Sequence, residues 1–169
     1  MNDSPENVIL ERCFLGEYEY AVDAQRRLAL PKAWRCKDST ANSFVLLPGR
    51  GRSLQLVSAG TFQEMLRKFR NVPIGGSVTQ AVGLATIGSM AQQVICDKQG
   101  RIPVAPKLMQ HAGIASKAIL VGAVTTIQIW EPAAWEAQKL DSEAALDVLQ
   151  AIQERPDDFS EIVRKAVKD

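Results

Sequence analysis

Two stretches of the chain alternate large apolar and polar residues with the two-residue period of a half-buried β-strand. In the first stretch, 17–23, every second residue from Tyr18 to Val22 is apolar, and Leu28 and Leu30 continue this apolar face after a short polar segment. Polar residues between two such runs favour a tight turn. The pattern therefore predicts a β-hairpin near the N-terminus.

The second stretch repeats the first one 74 residues further along the chain, with Val94, Cys96, Ile102 and Val104 at the apolar positions. Both hairpins have a turn of the pattern Asp-x-x-x-Arg. The first turn is Asp-Ala-Gln-Arg-Arg (23–27), and the second turn is Asp-Lys-Gln-Gly-Arg (97–101).

The repeat extends beyond the hairpins. Residues 44–47 align with 118–121 and, after the loss of one residue in a loop, 54–57 align with 127–130. An internal repeat of this length predicts two copies of one unit. Each unit consists of a hairpin, a short helical turn, a strand, a loop, a second strand and a helix.

Helices are predicted between and after these strands. Pro31 and Pro106 each open a short helical turn, because proline suits the first helical position. Thr61 is a candidate cap for a helix that follows it. The segment 77–90 is small and apolar and predicts a buried helix that joins the two repeats, and residues 133–140 and 142–154 are also predicted to be helical.

The charges are unevenly distributed, although the net charge is only +1. Residues 24–75 include ten basic and two acidic residues, which gives a net charge of +8. Residues 131–169 include ten acidic and five basic residues, which gives a net charge of −5. A basic surface suits a polyanionic partner. Two ordinary solvated surfaces would explain the same distribution equally well.

Several classes of protein are not supported by the sequence. No apolar run is long enough to span a bilayer, and the N-terminus lacks the features of a signal peptide. Three cysteines without metal-like spacing, at 13, 36 and 96, fit a reducing cytoplasm. His111, the single histidine, has no evident nucleophile partner. We therefore expect no catalytic residues, metal, cofactor or small-molecule substrate, and no membrane association.

The chemistry of the two turns differs at one position. Gly100 occupies the fourth position of the second turn, where a left-handed backbone commonly closes a hairpin loop. The first turn has Arg26 there, which costs roughly 1 kcal/mol relative to glycine if the backbone is left-handed. In either shape Arg26 faces solvent.

The Asp-x-x-x-Arg pattern has two interpretations. In the structural one, the aspartate caps turn amides and the arginine pairs with a carboxylate. In the functional one, the aspartate holds the turn while the arginine presents its forked guanidinium to a phosphate or a guanine edge. The pattern is short and often occurs by chance, so a single copy is weak evidence for the functional interpretation. Its occurrence in both repeats is stronger evidence.

Several motifs together resemble the MraZ family of bacterial transcription regulators of the division and cell-wall gene cluster. They include Phe-Leu-Gly (14–16), the first turn through Pro31, Phe-Val-Leu-Leu (44–47), Asp-Lys-Gln-Gly-Arg-Ile (97–102), His-Ala-Gly-Ile (111–114), Ile-Leu-Val-Gly (119–122) and Ile-Gln-Ile-Trp-Glu (127–131). The resemblance covers about 13–138.

The resemblance implies a mostly β protein with short helices (α+β), built from two tandem AbrB-like swapped-hairpin β-barrel units and C-terminal helices. The corresponding domains are a flexible extension at 1–12, a first repeat at 13–75, a linking helix at 76–91, a second repeat at 92–138 and a helical tail at 139–169.

The resemblance also implies a function: sequence-specific binding of short direct repeats in double-stranded promoter DNA by a ring-like homo-oligomer in the cytoplasm, on the nucleoid. The arginine of each turn then faces DNA, which assigns this role to Arg27 and Arg101. Arg26, Lys98 and Lys32 are the candidate phosphate contacts. Asp23, Asp97 and Gly100 are the structural residues of the motif.

The chain departs from the family pattern at three places: Arg26 replaces the usual turn glycine, Ala105 replaces a usual proline, and 81–90 lacks the usual basic and aromatic residues. The last segment suggests packing between subunits or repeats. An oligomeric interaction scaffold of the same fold without DNA binding is the main alternative. An enzyme and an AbrB-type antitoxin are less favoured, because no pocket is indicated and such antitoxins usually carry one hairpin unit per chain.

Overall fold

The computed structural model describes residues 13–38, 41–70 and 76–154. These residues divide between two compact units, with the boundary after Glu136. The predicted extension at 1–12 and the end of the predicted tail, 155–169, lie outside the described residues. The predicted division into repeats, linking helix and tail stays a prediction.

The first unit contains all eight strands of the described residues. They are β1 (Glu17–Ala21), β2 (Arg27–Ala29), β3 (Ser43–Pro48), β4 (Leu54–Ser58), β5 (Gln92–Ile95), β6 (Arg101–Pro103), β7 (Lys117–Ala123) and β8 (Thr126–Trp130). The helices are α1 (Ala59–Phe69), α2 (Val78–Met90), α3 (Pro106–Ala112), α4 (Pro132–Gln138) and, in the second unit, α5 (Ser142–Glu154). Short 3-10 turns occupy Lys32–Trp34 and Arg50–Arg52.

The strands form two antiparallel sheets that mix the two repeats. The larger sheet has the order β1-β7-β8-β4-β3-β5, and β2 pairs with β6 in a separate two-stranded sheet. Tyr18 of β1 therefore lies opposite Leu120 of β7, and Leu28 of β2 lies opposite Ile102 of β6. Each hairpin thus pairs with strands of the other repeat. The prediction that its two strands pair with each other is wrong, because β1 and β2, like β5 and β6, lie in different sheets.

The α+β class, mostly β with short helices, is confirmed. The two barrel units implied by the resemblance are not seen as closed barrels in the described residues, because β1 and β5 are the open edges of one shared sheet. The exchange of hairpins explains this difference. It joins the two repeats through common strands, so that neither repeat closes a sheet of its own.

The core of the first unit lies between the larger sheet and the β2–β6 pair. Leu28 and Ile102 are both 0% exposed and contribute from the pair, while Leu56 and Ile127 contribute from the sheet. Full burial of a side chain of this size contributes about 1.5–3 kcal/mol relative to exposure. The alternating apolar positions of both hairpins are buried or half-buried, as the sequence predicts.

Two predictions about helices are corrected. Thr61 is not the cap of α1: Ser58 is, and its hydroxyl accepts a hydrogen bond from the backbone N–H of Thr61 at 3.3 Å. The helix therefore begins directly after β4. The predicted helix at 77–90 is present as α2, but it is not buried in this chain, because Val78 is 79% exposed and Val82 is 57% exposed.

Candidate nucleic-acid interface

Pairing of β2 with β6 brings the two turns together. Leu30 donates a backbone hydrogen bond to Gly100 at 2.7 Å, and Val104 donates one to Arg26 at 2.9 Å. Leu28 and Ile102 point into the core, so the alternation of a strand directs Arg27 and Arg101 to the opposite, outer face. The exchange of hairpins therefore builds one composite surface from residues that lie far apart in the sequence.

In each turn the aspartate side chain fixes the backbone. Oδ1 of Asp23 accepts hydrogen bonds from the backbone N–H groups of Gln25 and Arg27, both at 2.9 Å. The carboxylate of Asp97 accepts the same pair of bonds in the second turn, again at 2.9 Å. The aspartates of both turns therefore accept the same pair of backbone hydrogen bonds. The second turn has one further bond, which Nη2 of Arg101 donates to Oε1 of Gln99 at 2.6 Å.

These bonds favour the charged form of the carboxylates. The backbone N–H of Arg27 is the largest cause that lowers the pKa of Asp23 below its usual value, and the side-chain bond from Arg27 adds to it. Arg101 acts in the same way on the pKa of Asp97. Both aspartates are therefore anions at neutral pH.

The other carboxylate oxygens hold the arginines. Nε of Arg27 donates to Oδ2 of Asp23 at 2.8 Å, and Nε of Arg101 donates to Oδ2 of Asp97 at 3.0 Å. Longer contacts join the two turns, since Nη1 of Arg27 lies 3.7 Å from Asp97 and Nη1 of Arg101 lies 3.8 Å from Asp23. We call these four residues the arginine–aspartate cluster.

The cluster is partly accessible. Between 28% and 32% of each of its four side chains is exposed. Because Nε of each arginine is bound to its own aspartate, the guanidinium is held in a fixed orientation. A fixed, planar, always-charged fork of this kind suits phosphate oxygens and the acceptor edge of guanine.

The remaining predicted basic residues lie on the two turns and on the segment that follows β2. Arg26 is exposed at the tip of the first turn, and Lys98 is exposed on the second turn. Lys32 is exposed on the 3-10 turn that follows β2. On the two turns, four basic residues face two aspartates, which leaves a net charge of +2.

The fourth residue of each turn has the left-handed backbone that the glycine of the second turn predicts. Gly100 has φ 79° and Arg26 has φ 56°, so both residues are left-handed. Their surroundings differ, however, because Gly100 is buried whereas Arg26 is exposed.

Arg35 covers Gly100 and was not anticipated as part of this surface. A β-carbon at Gly100 would lie 2.5 Å from Cζ of Arg35, so the guanidinium packs directly on the glycine. Nε of Arg35 is buried and makes no hydrogen bond with the described residues. The contact joins the first repeat to the second turn and depends on the exchange of hairpins, so the local sequence around Arg35 carries no signal of it.

The single histidine, His111, has a structural contact. Nε2 of His111 lies 3.1 Å from the carbonyl oxygen of Gly49, which accounts for this side chain at the end of α3. No group of three or more His, Cys, Asp or Glu residues that could hold a metal occurs in the described part of the chain. Within the same residues no helix is both long and apolar enough to cross a membrane.

Comparison with known proteins identifies relatives that match most of the chain. Residues 88–155 match the family model described as "MraZ protein, putative antitoxin-like". The chain is 33% identical to the transcriptional regulator MraZ of Kocuria rhizophila over 132 residues, which are 78% of this chain and 90% of the relative. It is 30% identical to the transcriptional regulator MraZ of Roseiflexus castenholzii over 135 residues, 79% of this chain and 92% of the relative. The two repeats, their paired turns and this similarity agree: the chain belongs to the MraZ family.

Proposed function

We propose that the protein is a DNA-binding transcriptional regulator that contacts promoter DNA through the first and second turns. The observation that carries this proposal is the convergence of Arg27 and Arg101, from positions 74 residues apart, on one exposed face. The longer contacts between the turns combine both arginines into a single unit of recognition.

Each residue of this surface has a distinct role in the proposal. Arg27 and Arg101 contact base edges, because their guanidinium groups are held in a fixed orientation by Asp23 and Asp97. Gly100 allows the close packing of the second turn. Arg26, Lys98 and Lys32 contact phosphates, which adds affinity and positions the protein on the duplex.

Helix α2 supports the proposal that the subunits assemble, as a ring, with further copies of the chain. No charged residue occurs in 76–93, and Val78, Val82, Leu84 and Ile87 are 46–79% exposed. An uncharged apolar surface is unsuited to a polyanion and suits a like surface from another subunit. Residues 13–75 and 92–138 would then act as the two DNA-binding repeats, and 76–91 as the linking helix between them.

Assembly explains how small contacts would give a specific regulator. One pair of turns contacts few bases, so a single subunit binds weakly. Several subunits that meet direct repeats in one promoter raise the affinity through effective concentration. We place this activity in the cytoplasm, on the nucleoid, where promoter DNA is accessible.

The test is DNA binding by the purified protein. A duplex from upstream of its own gene is compared with random duplex DNA over a range of salt concentrations. We expect selective binding that weakens steeply with salt, because each neutralised phosphate releases counterions. Binding no tighter than to random DNA, by an intact oligomer, would favour the scaffold alternative.

Substitution of Arg27 tests the site itself. Loss of one base contact costs about 1–3 kcal/mol, and the loss recurs in every subunit, so Arg27→Ala should abolish selective binding. Light scattering should show an unchanged oligomer. Arg67→Ala is the matched control, because Arg67 is an exposed arginine on α1 outside both turns. Normal binding by Arg27→Ala, or equal losses in the two variants, would contradict the assigned role.

A further inference from the structure

The arginine–aspartate cluster has an approximate local two-fold symmetry. The two Nε-to-carboxylate distances are 2.8 and 3.0 Å, and the two contacts between turns are 3.7 and 3.8 Å. In the antiparallel β2–β6 pair, Leu28 lies opposite Ile102. A rotation of half a turn about an axis between these two residues therefore exchanges the first turn with the second.

This symmetry creates a difficulty for reading direct repeats. The two strands of duplex DNA run antiparallel, so its backbone also has local two-fold axes, and a two-fold symmetric protein surface favours a palindromic site. With Arg27 and Arg101 alone, one subunit would bind a half-site and its reverse equally well. Discrimination between the two directions must come from residues that differ between the two halves of this surface, and the turns carry those next to Arg27 and Arg101 in the sequence.

Only two of the five turn positions differ. The first, third and fifth positions are Asp, Gln and Arg in both turns. Ala24 of the first turn corresponds to Lys98 of the second, and Arg26 corresponds to Gly100. Each turn therefore carries one additional cation, but at different ends of the loop.

The two turns differ most strongly at their fourth position. Arg26 is exposed, whereas Gly100 is buried under the guanidinium of Arg35. Arg26 also keeps a left-handed backbone, with φ 56°, that an arginine adopts at a cost of roughly 1–2 kcal/mol. Residues held in such conformations cluster at functional sites, where the local strain is part of the mechanism.

We propose that Arg26 and Lys98 set the direction in which each subunit reads its DNA half-site, with Arg26 as the main specificity-determining residue. The inference rests on the proposed DNA binding and deepens it. The cluster provides two base-reading arginines in nearly equivalent positions. Arg26, exposed at one end of the cluster only, also reaches a base edge, so that one orientation on the duplex is more favourable than the reverse. A nearly symmetric unit thereby reads a directional repeat.

The decisive variant is the double substitution Ala24→Lys and Arg26→Gly. It converts the first turn to Asp-Lys-Gln-Gly-Arg, identical to the second, and leaves the net charge unchanged. Glycine also relieves the left-handed backbone at position 26, so the variant should remain folded. Arg67→Ala serves again as the control outside the turns.

Binding sites are first selected by the native protein from a library of random duplexes. Two probes are then made from the selected pair of half-sites: one with both half-sites in the same direction, and one with a single half-site inverted. We expect the native protein and the Arg67→Ala control to prefer the first probe by about tenfold, equivalent to about 1.4 kcal/mol. The double variant should bind both probes with nearly equal affinity.

The outcomes separate the two proposals. A double variant that retains the tenfold preference would overturn the role of Arg26 and Lys98 while leaving DNA binding intact. A palindromic half-site selected by the native protein would do the same. Failure of the native protein to select any sequence would refute the proposed function, and with it this inference.

Discussion

Substitution of Gly100 by alanine should destabilise the protein through two separable effects. The first is the backbone, since φ at this residue is 79°, where an L-residue is disfavoured relative to glycine by about 1 kcal/mol. The second is the contact with Arg35, because the new methyl group would lie 2.5 Å from Cζ of its guanidinium. The guanidinium is the end of a flexible side chain, so it can move aside.

Displacement of Arg35 adds a further contribution of the order of 1 kcal/mol, the usual range for local overpacking. We therefore expect Gly100→Ala to lower the free energy of unfolding by about 2 kcal/mol in total. In an Arg35→Ala background, only the backbone contribution of about 1 kcal/mol should remain.

The assay is urea unfolding of the four proteins of this cycle, at one fixed protein concentration because the oligomeric state contributes to stability. The coupling energy between positions 35 and 100 is the difference between the penalty of Gly100→Ala in the native protein and its penalty in the Arg35→Ala background. A penalty of the same size with and without Arg35 would show that the two residues do not interact. A neutral Gly100→Ala variant would refute the backbone argument as well.

Two other predictions concern backbone strain and pH. Val124 has φ 65° in a tight turn where Thr125 donates to Ala123 at 2.8 Å, and 56% of its side chain is exposed. Val124→Gly should therefore raise the free energy of unfolding by about 1 kcal/mol, and thermal unfolding at an unchanged or lower temperature would contradict this. The folded-state pKa of Asp97 lies below 3.8, so its stabilising contribution is present above that pH and is lost as the pH falls through the folded-state pKa. The unfolding midpoint of Asp97→Asn should consequently decline less than that of the native protein between about pH 5 and pH 3, and parallel declines would exclude this contribution.

Local patterns predict the strands and the turns of the hairpins well, because both strand alternation and turn chemistry are encoded within a few residues. Tyr18 and Val22 alternate with polar neighbours, and Gly100 has the left-handed backbone expected at its position. Arg26 adopts the same backbone without glycine. The repeat itself indicates that one shape is used twice.

Pairing between distant strands is not encoded in such patterns. Leu28 and Ile102 each satisfy the alternation of their own hairpin, and nothing local specifies that they face each other. The contact of Arg35 with Gly100 depends on that pairing, so it too was beyond local prediction. The two turns form one composite site only because β2 pairs with β6, and this pairing is not encoded locally either.

The small and apolar residues of α2 predict that this helix is buried. An apolar composition indicates that a surface is buried, but it does not indicate whether the same chain or another subunit packs against it. Val78 and Val82 are exposed within this single chain. The choice of Thr61 as a cap failed for a simpler reason: Ser58, three residues earlier, is an equally good acceptor and lies directly at the end of β4.

The mixed sheet has a consequence for how the chain acquires its structure during synthesis. β1 and β2 pair with β7 and β6, so within the first repeat only β3 and β4 pair with each other. The partners of β1 and β2 leave the ribosome roughly 70–100 residues later, which at about 5–20 residues per second corresponds to several seconds or more. During this interval the apolar face of Leu28 and Leu30 lacks its partner strand. Completion of the fold must therefore await the second repeat.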